Sequence, residues 1–183
     1  IREICGVPKI EHITDLGNAQ RFARLFGDRI RYVAAWRKWL VYDGTRWAED
    51  STGAVMRLAK EIPREIYRQA GEEVKEYKRK ALTDHGKRSE SVKSLRAMLF
   101  LAESEHPIAA SPDQFDASPW YLNCPDVVVH LRDGSTMSNH PQDYYTMVAG
   151  TEYDESAHSS LWNDCLETWF PDPDVRDFVQ RAV

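Results

Sequence analysis

The apolar residues of the first fifty positions change from helical spacing to the alternation typical of strands. A helix is predicted to begin at Thr14 or Asp15 and to end at Gly27, because the apolar residues between them recur every three or four positions. Residues 28–48 then alternate, and Asp43-Gly44 suits a tight turn since glycine tolerates a positive φ. We expect a small three-stranded sheet here. Its first strand is predicted to be half-buried, with Ile30, Tyr32 and Ala34 on one face.

Helical spacing fills most of residues 50–104. Asp50 or Ser51 is placed to begin the first helix, and Pro63 is expected to kink it and Gly71 to end it. Two further apolar stripes predict two more helices. Their members are Val74, Tyr77, Ala81 and Leu82 in one stripe, and Val92, Leu95, Leu99 and Ala102 in the other.

Strand-like patterns return in the last part of the chain, and helices close it. The capping box Ser111-Pro112-Asp113-Gln114 predicts a short helix. Short strands are expected within residues 120–150, including one at 146–149, and two helices within residues 156–183. The sequence therefore predicts an α+β fold in one domain spanning residues 1–183, with a mostly helical middle flanked by two small antiparallel β units.

The composition is that of an ordinary globular domain. Hydrophobic residues make up 42% and charged residues 29% of the 183 positions, which suffices for one sizeable core. The three cysteines have neither zinc-knuckle spacing nor an even count, which favours a cytoplasmic protein. Because the chain starts at Ile1 and its last predicted helix lacks a stop signal, we expect it to be part of a longer protein.

Charge is divided unevenly along the chain. Residues 1–104 hold 21 Lys and Arg against 15 Asp and Glu, whereas residues 105–183 hold 3 against 14. The basic part could face a polyanion, although the charged outer faces of amphipathic helices explain the same balance.

Basic side chains crowd the predicted helices between residues 75 and 96. They could contact phosphates and release counterions, which would make binding salt-sensitive. A second basic spot lies at Arg37 and Lys38, where a flanking tryptophan could stack on a base, although tryptophans at strand positions more often belong to a core. The candidate DNA-binding residues are Lys75, Lys78, Arg79, Lys80, Lys87, Arg88, Lys93, Arg37 and Lys38.

Motifs of catalysis are absent from the sequence. It has no G-x-x-x-x-G-K-[ST] phosphate loop, no G-x-G-x-x-G and no G-x-S-x-G, so nucleotide hydrolysis by this chain alone is not expected. No histidine or cysteine pair has the spacing of a zinc site, and we predict no catalytic residue, metal or cofactor for this chain. A metal-dependent nuclease using Asp143, Glu152 and Asp154 is the least favoured alternative.

Several short motifs occur in a characteristic order. The first are Gly27-Asp28-Arg29-Ile30-Arg31-Tyr32, Trp36-Arg37-Lys38-Trp39 with Tyr42-Asp43-Gly44, and Arg46-Trp47. Pro119-Trp120-Tyr121-Leu122-Asn123, Leu131-Arg132-Asp133-Gly134 and Phe178-Val179-Gln180-Arg181 follow. In this order they resemble the domain that precedes the helicase motor in phage and plasmid primase-helicases of the poxvirus-primase type.

The resemblance implies an accessory domain in phage or plasmid DNA replication, coupled to a hexameric ATPase and usually to an upstream primase. Such a domain is not the catalytic part, and ATP and Mg²⁺ would belong to the parent helicase. Expected partners are single-stranded or forked DNA, the helicase and primase modules, and further copies of the full-length protein. The rival hypothesis is a protein-interaction module without a DNA role, which docks through the acidic residues 105–183.

Overall fold

The computed structural model describes residues 12–182, which form two compact units divided between Glu152 and Tyr153. Helices and two small sheets build the first unit and helices the second, so the predicted α+β class is confirmed. The helices are α1 (Asp15–Phe26), α2 (Ala54–Ala59), α3 (Glu61–Glu72), α4 (Glu76–Ser89), α5 (Val92–Ala102), α6 (Ser160–Trp169) and α7 (Pro173–Ala182). The strands are β1 (Ile30–Val33), β2 (Lys38–Tyr42), β3 (Trp47–Glu49), β4 (Ala109–Ala110), β5 (Tyr121–Asn123), β6 (Val128–His130) and β7 (Thr136–Met137). Across residues 12–182, we find no helix with the length and apolar content that a membrane crossing needs.

Helix α1 begins and ends where the sequence predicts. The Thr14 hydroxyl accepts a hydrogen bond from the Gly17 amide at 3.1 Å, which caps the first turn. Gly27 closes the helix with a right-handed φ of −67°, so left-handed backbone is not the reason for glycine here. The reason is space, because a Cβ at Gly27 would lie 2.7 Å from Cγ of Pro107.

The first sheet has four strands in the order β3-β2-β1-β4. Strands β1, β2 and β3 are antiparallel as predicted, with Ile30 opposite Val41 and Leu40 opposite Glu49. The prediction of three strands misses β4, which pairs with β1 in parallel from outside residues 28–48. A strand of two residues has no alternation that a sequence pattern could reveal.

Both faces of this sheet are covered, so the prediction of a half-buried first strand is wrong. On one face, Ile30 packs into the main core with residues of α1, α2, α3 and α5. On the other face, Val33, Leu40 and Trp47 form a second cluster with Phe115. Arg31 and Val33 are therefore buried as well as Ile30, whereas Ala34 lies exposed in the turn after β1.

The helical middle is confirmed, but two of its details differ from the prediction. The break falls at Lys60 rather than at Pro63, which sits in the first turn of α3, where the missing N–H of proline costs no hydrogen bond. Val74 is 91% exposed in the loop before α4, so the stripe that was expected to begin there is wrong. The Asp50 carboxylate caps α2 by accepting from the Ala54 amide at 2.8 Å and the Val55 amide at 2.9 Å.

The second sheet, β5-β6-β7, is antiparallel as predicted. The capping box before it forms a single 3₁₀ turn, Pro112–Gln114. The strand expected at 146–149 is absent, because this segment forms hydrogen bonds with the single residue Asn123 and not with successive residues of a neighbouring strand. The Asn123 carbonyl accepts from the Ala149 amide at 2.8 Å, and the Asn123 side-chain amide donates to the Met147 carbonyl at 2.8 Å and to the Thr45 carbonyl at 3.0 Å.

The second unit contains α6 and α7, as the apolar spacing predicts. The Ser159 hydroxyl caps α6 by accepting from the Trp162 amide at 3.2 Å. The Asp172 carboxylate accepts from the Asp174 amide at 2.9 Å at the start of α7. Exposed large apolar side chains remain on both helices, among them Leu161, Trp169 and Phe178.

Two glycine substitutions should have opposite effects on stability. Gly27→Ala should lower the free energy of unfolding by about 1–3 kcal/mol, because the new methyl group meets Pro107 and the Ala23 carbonyl. Gly71→Ala should raise it by up to about 1 kcal/mol, because nothing lies within 4 Å of the new Cβ in α3 and alanine favours a helix. Urea unfolding of both variants measures the difference, and equal effects would contradict this packing.

Candidate nucleic-acid interface

Helix α4, which carries most of the predicted basic residues, is fixed to α1 by a buried polar network. The Asn18 side-chain amide donates to the Ser89 hydroxyl at 2.9 Å. Its carbonyl oxygen accepts from the Arg21 guanidinium at 3.2 Å and lies 3.0 Å from His85 Nε2. Because that oxygen is an acceptor, His85 Nε2 is the protonated nitrogen of the ring. The four buried side chains hold α4 in one rotation about its axis.

The predicted basic residues are all exposed, but they do not share one face. Successive residues of a helix are rotated by about 100°, so Lys80 and Lys87 lie on the side opposite the buried His85. Lys78 lies on the same side as His85, where that side reaches solvent. Lys75 is the N-cap residue that precedes the helix.

The basic side chains of α3 and α4 differ in whether they form ion pairs. On α3, Arg64 pairs with Glu61, and Arg68 pairs with Glu65 and Glu72 at 2.6 Å each. On α4, Arg79 pairs with Glu76. Among residues 12–182, no carboxylate lies within ion-pair distance of Lys80 or Lys87.

The remaining predicted residues lie at two other places. Lys93 is exposed in the first turn of α5, and Arg88 is exposed in the last turn of α4. Arg37 lies in the turn between β1 and β2 with a left-handed φ of 54°, and Lys38 begins β2 and pairs with Glu49 at 2.6 Å. The structure therefore separates Arg37 and Lys38, on the first sheet, from the basic residues on the helices.

The tryptophans of residues 28–48 have two different environments, a choice that the sequence left open. Trp39 and Trp47 pack into the two cores, and the Trp39 ring lies 5.1 Å from that of Tyr32. Trp36 is 41% exposed and touches only one aromatic ring, that of Phe115 at 5.5 Å, among the contacts in the described residues.

An open groove of about 600 Å³ lies beside Trp36 on the face of the sheet that does not pack on helices. Arg46, from the turn before β3, lines it and was not among the predicted site residues. Its position follows from the Asp43-Gly44 turn, where the Asp43 carboxylate accepts from the Thr45 and Arg46 amides at 2.9 Å each. The lining residues are Trp36, Lys38, Leu40, Arg46, Trp47, Ala48, Glu49 and Thr146.

Arg31 of β1 packs against Trp47, one of the residues that line this groove. Its guanidinium carbon lies 4.6 Å from the centre of the Trp47 ring and 5.3 Å from that of Tyr144, and the side chain is 5% exposed. The guanidinium also donates to the carbonyls of Gly27 and Ile30 and to the Tyr144 hydroxyl. The Trp47 indole and backbone amide in turn donate to the carbonyls of Pro141 and Tyr145, at 2.9 and 2.7 Å.

Two of the three acidic residues of the alternative nuclease hypothesis accept hydrogen bonds from amides of local turns. Asp143 accepts from the His140 amide at 3.2 Å, and Asp154 accepts from the Ser156 amide at 2.9 Å. Within residues 12–182, no group of three or more His, Cys, Asp or Glu side chains is arranged to hold a metal ion.

Comparison with known proteins identifies one matching family. The family model described as D5 N terminal like matches residues 19–171, which include both sheets, helices α2 to α6 and all but the first turn of α1. No curated protein matches the chain.

Replacing Arg31 tests how the groove wall is held. Arg31→Leu should lower the free energy of unfolding by about 3 kcal/mol, because it removes a desolvated cation–π contact and charged hydrogen bonds. Arg29→Leu, which removes the same charge from an exposed position two residues earlier, should change it by less than about 0.5 kcal/mol. Denaturant unfolding compares the two variants, and equal losses would show that charge alone matters.

Stability should decline in mild acid because of His85. Burial lowers the pKa of His85 from its ordinary value of 6.5, and nearby Arg21 and Arg88 lower it further, against a smaller opposing effect of Asp15. Because the folded-state pKa is the lower one, the unfolded chain binds this proton more tightly. The neutral His85 side chain therefore contributes fully to the stability of the fold only above the ordinary pKa. The free energy of unfolding should therefore fall as the pH drops through 6.5 and below.

Substitution of this histidine provides the check. His85→Gln should show a flatter decline than the parent in urea unfolding at a series of pH values. The exposed His106→Gln should keep the parent's slope. A parent slope retained in His85→Gln would rule out this histidine as the cause.

Proposed function

This chain belongs to the D5 N-terminal-like family, the domain that precedes the helicase in primase-helicases, and we propose that it is a non-catalytic accessory domain that holds DNA beside the motor. In this proposal, ATP and Mg²⁺ act at the helicase of the parent protein. The domain contributes a surface for phosphates and links the motor to the primase.

The observation that carries the DNA role is the contrast in charge between α3 and α4. The arginines of α3 are paired with glutamates of the same helix, so their charges are largely cancelled. Lys80 and Lys87 of α4 are seven residues apart on one exposed side and lie without a carboxylate partner among the described residues. Unpaired lysines at this spacing can neutralise phosphates and release counterions, which gives binding without sequence preference.

A rigid base supports this role. A phosphate-binding helix gains affinity when the helix itself need not be ordered on binding, and α4 is held by the buried network of Asn18, Arg21, His85 and Ser89. The family's place next to a replicative helicase supplies the reason why DNA is near.

A protein-docking role is the second candidate, and the second unit favours it. Leu161 and Trp169 of α6 and Phe178 of α7 are large apolar side chains exposed to solvent. Apolar side chains exposed together on one small unit are typical of surfaces that another protein covers. We propose that the second unit meets the helicase or another copy during ring assembly, which is compatible with DNA binding by the first unit.

Paired charge substitutions test the DNA role. The double variant Lys80→Ala/Lys87→Ala should bind single-stranded DNA more weakly and reduce the slope of log K against log salt concentration by about 1.4, since each phosphate contact contributes roughly 0.7. The double variant Arg64→Ala/Arg68→Ala removes the same charge from α3 and should leave the slope unchanged. Fluorescence anisotropy with single strands and forked duplexes across a salt series measures both.

The contrary results are equally specific. Equal losses in the two double variants would mean that only net charge matters and that α4 is not a contact surface. An unchanged affinity of the α4 variant at low salt would remove the DNA role and leave the docking role.

A further inference from the structure

The groove beside Trp36 is a concave surface with apolar and charged residues, whereas the candidate residues on α4 are exposed charged side chains. Its volume of about 600 Å³ lies within the roughly 300–1,000 Å³ of small-molecule sites, which is enough for one nucleotide unit. Leu40 and Trp36 supply apolar surface, and Arg46 supplies positive charge.

Trp36 is held outward by the local backbone. The turn between β1 and β2 is closed by bonds from the Trp36 amide to the Val33 carbonyl and from the Arg37 amide to the Ala34 carbonyl, at 3.1 Å each. Phe115 supports the indole from one side, with the ring centres 5.5 Å apart. An indole that is supported in this way and 41% exposed is a preformed platform for a flat aromatic partner.

Positive charge lies around this platform. The Arg46 side chain is 41% exposed, and its Nε is 3.5 Å from the Asp43 carboxylate, longer than a good N–H···O bond, so that contact holds the guanidinium only weakly. Arg37 is exposed in the same turn as Trp36. Lys38 offsets the one carboxylate of the groove lining, that of Glu49.

We propose that this groove binds one nucleotide of single-stranded DNA, with the base stacked on Trp36 and the phosphate near Arg46 and Arg37. The inference deepens the proposed function, because phosphate contacts on α4 do not distinguish single strands from duplexes. A base is free to stack only where it is unpaired, so the groove supplies that distinction. Every base has a flat face, so the site accepts any sequence.

The test compares oligonucleotides with and without bases on the whole 183-residue chain. A thymidine 12-mer should bind about tenfold more tightly than an abasic 12-mer with the same phosphates, because one stacked base contributes roughly that factor. Trp36→Ala should bring the thymidine strand to the affinity of the abasic strand and leave abasic binding unchanged. Trp36→Phe should keep part of the preference, since a smaller ring remains.

Controls separate this groove from other tryptophans and from the fold. Trp120→Ala removes an indole that is 45% exposed and does not line the groove, and it should change neither affinity. Because Trp36 touches Phe115, urea unfolding checks that each variant is folded, and the abasic comparison on the parent needs no variant at all.

The outcomes distinguish this inference from the role of α4. Equal binding of thymidine and abasic strands by the parent, or equal losses for both strands in Trp36→Ala, would overturn the groove and leave the α4 surface standing. A base preference that Trp36→Ala abolishes, with no effect of Lys80→Ala/Lys87→Ala, would support the groove and overturn the α4 surface. Absence of binding to any strand at low salt would overturn both.

Discussion

The burial of one cation, Arg31, against the two stacked rings of Trp47 and Tyr144 is the interaction on which the first unit depends. A guanidinium removed from water must find partners for its charge and its N–H groups, and here Trp47, Tyr144 and the carbonyls of Gly27 and Ile30 provide them. Helices can cover one face of the sheet without this contact. The other face is covered by a segment with little regular structure, and Arg31 with Trp47 ties that segment down at Pro141, Tyr144 and Tyr145. The edge of that cover is what leaves the groove beside Trp36.

The regular elements could be predicted because each follows a local rule. Thr14 caps α1, Asp50 caps α2, and alternation marks β1 and β2. The prediction was wrong where long-range contacts decide. Strand β4 exists only because β1 has an open edge, and Arg31 is buried inside a strand that its charge would place at the surface. Nothing in local spacing reveals a partner more than a hundred residues away, such as Tyr144.

For the candidate site, local sequence patterns indicate which basic residues are exposed, but long-range contacts decide how those residues are arranged. Lysines on α4 are visible as a run of charges, and their exposure follows from amphipathic spacing. Which side of the helix each lysine occupies depends on which residues are buried, and a histidine such as His85 gives no local sign that it is buried. Arg46 was missed because it shares the groove with Trp36 only after β2 and β3 pair. The two surfaces then divide the proposed work, since α4 offers charge for phosphates and the groove offers a ring for an unpaired base.

Chemical-shift mapping by NMR tests the central claim most directly, because it reports every amide and each tryptophan indole of the 183-residue chain at once. On addition of a short single-stranded DNA at low salt, the account predicts shifts at the amides of α4 around Lys80 and Lys87 and at the Trp36 indole, with the indoles of Trp39 and Trp47 little changed. Shifts confined to the second unit, or none at all in the first unit, would contradict it.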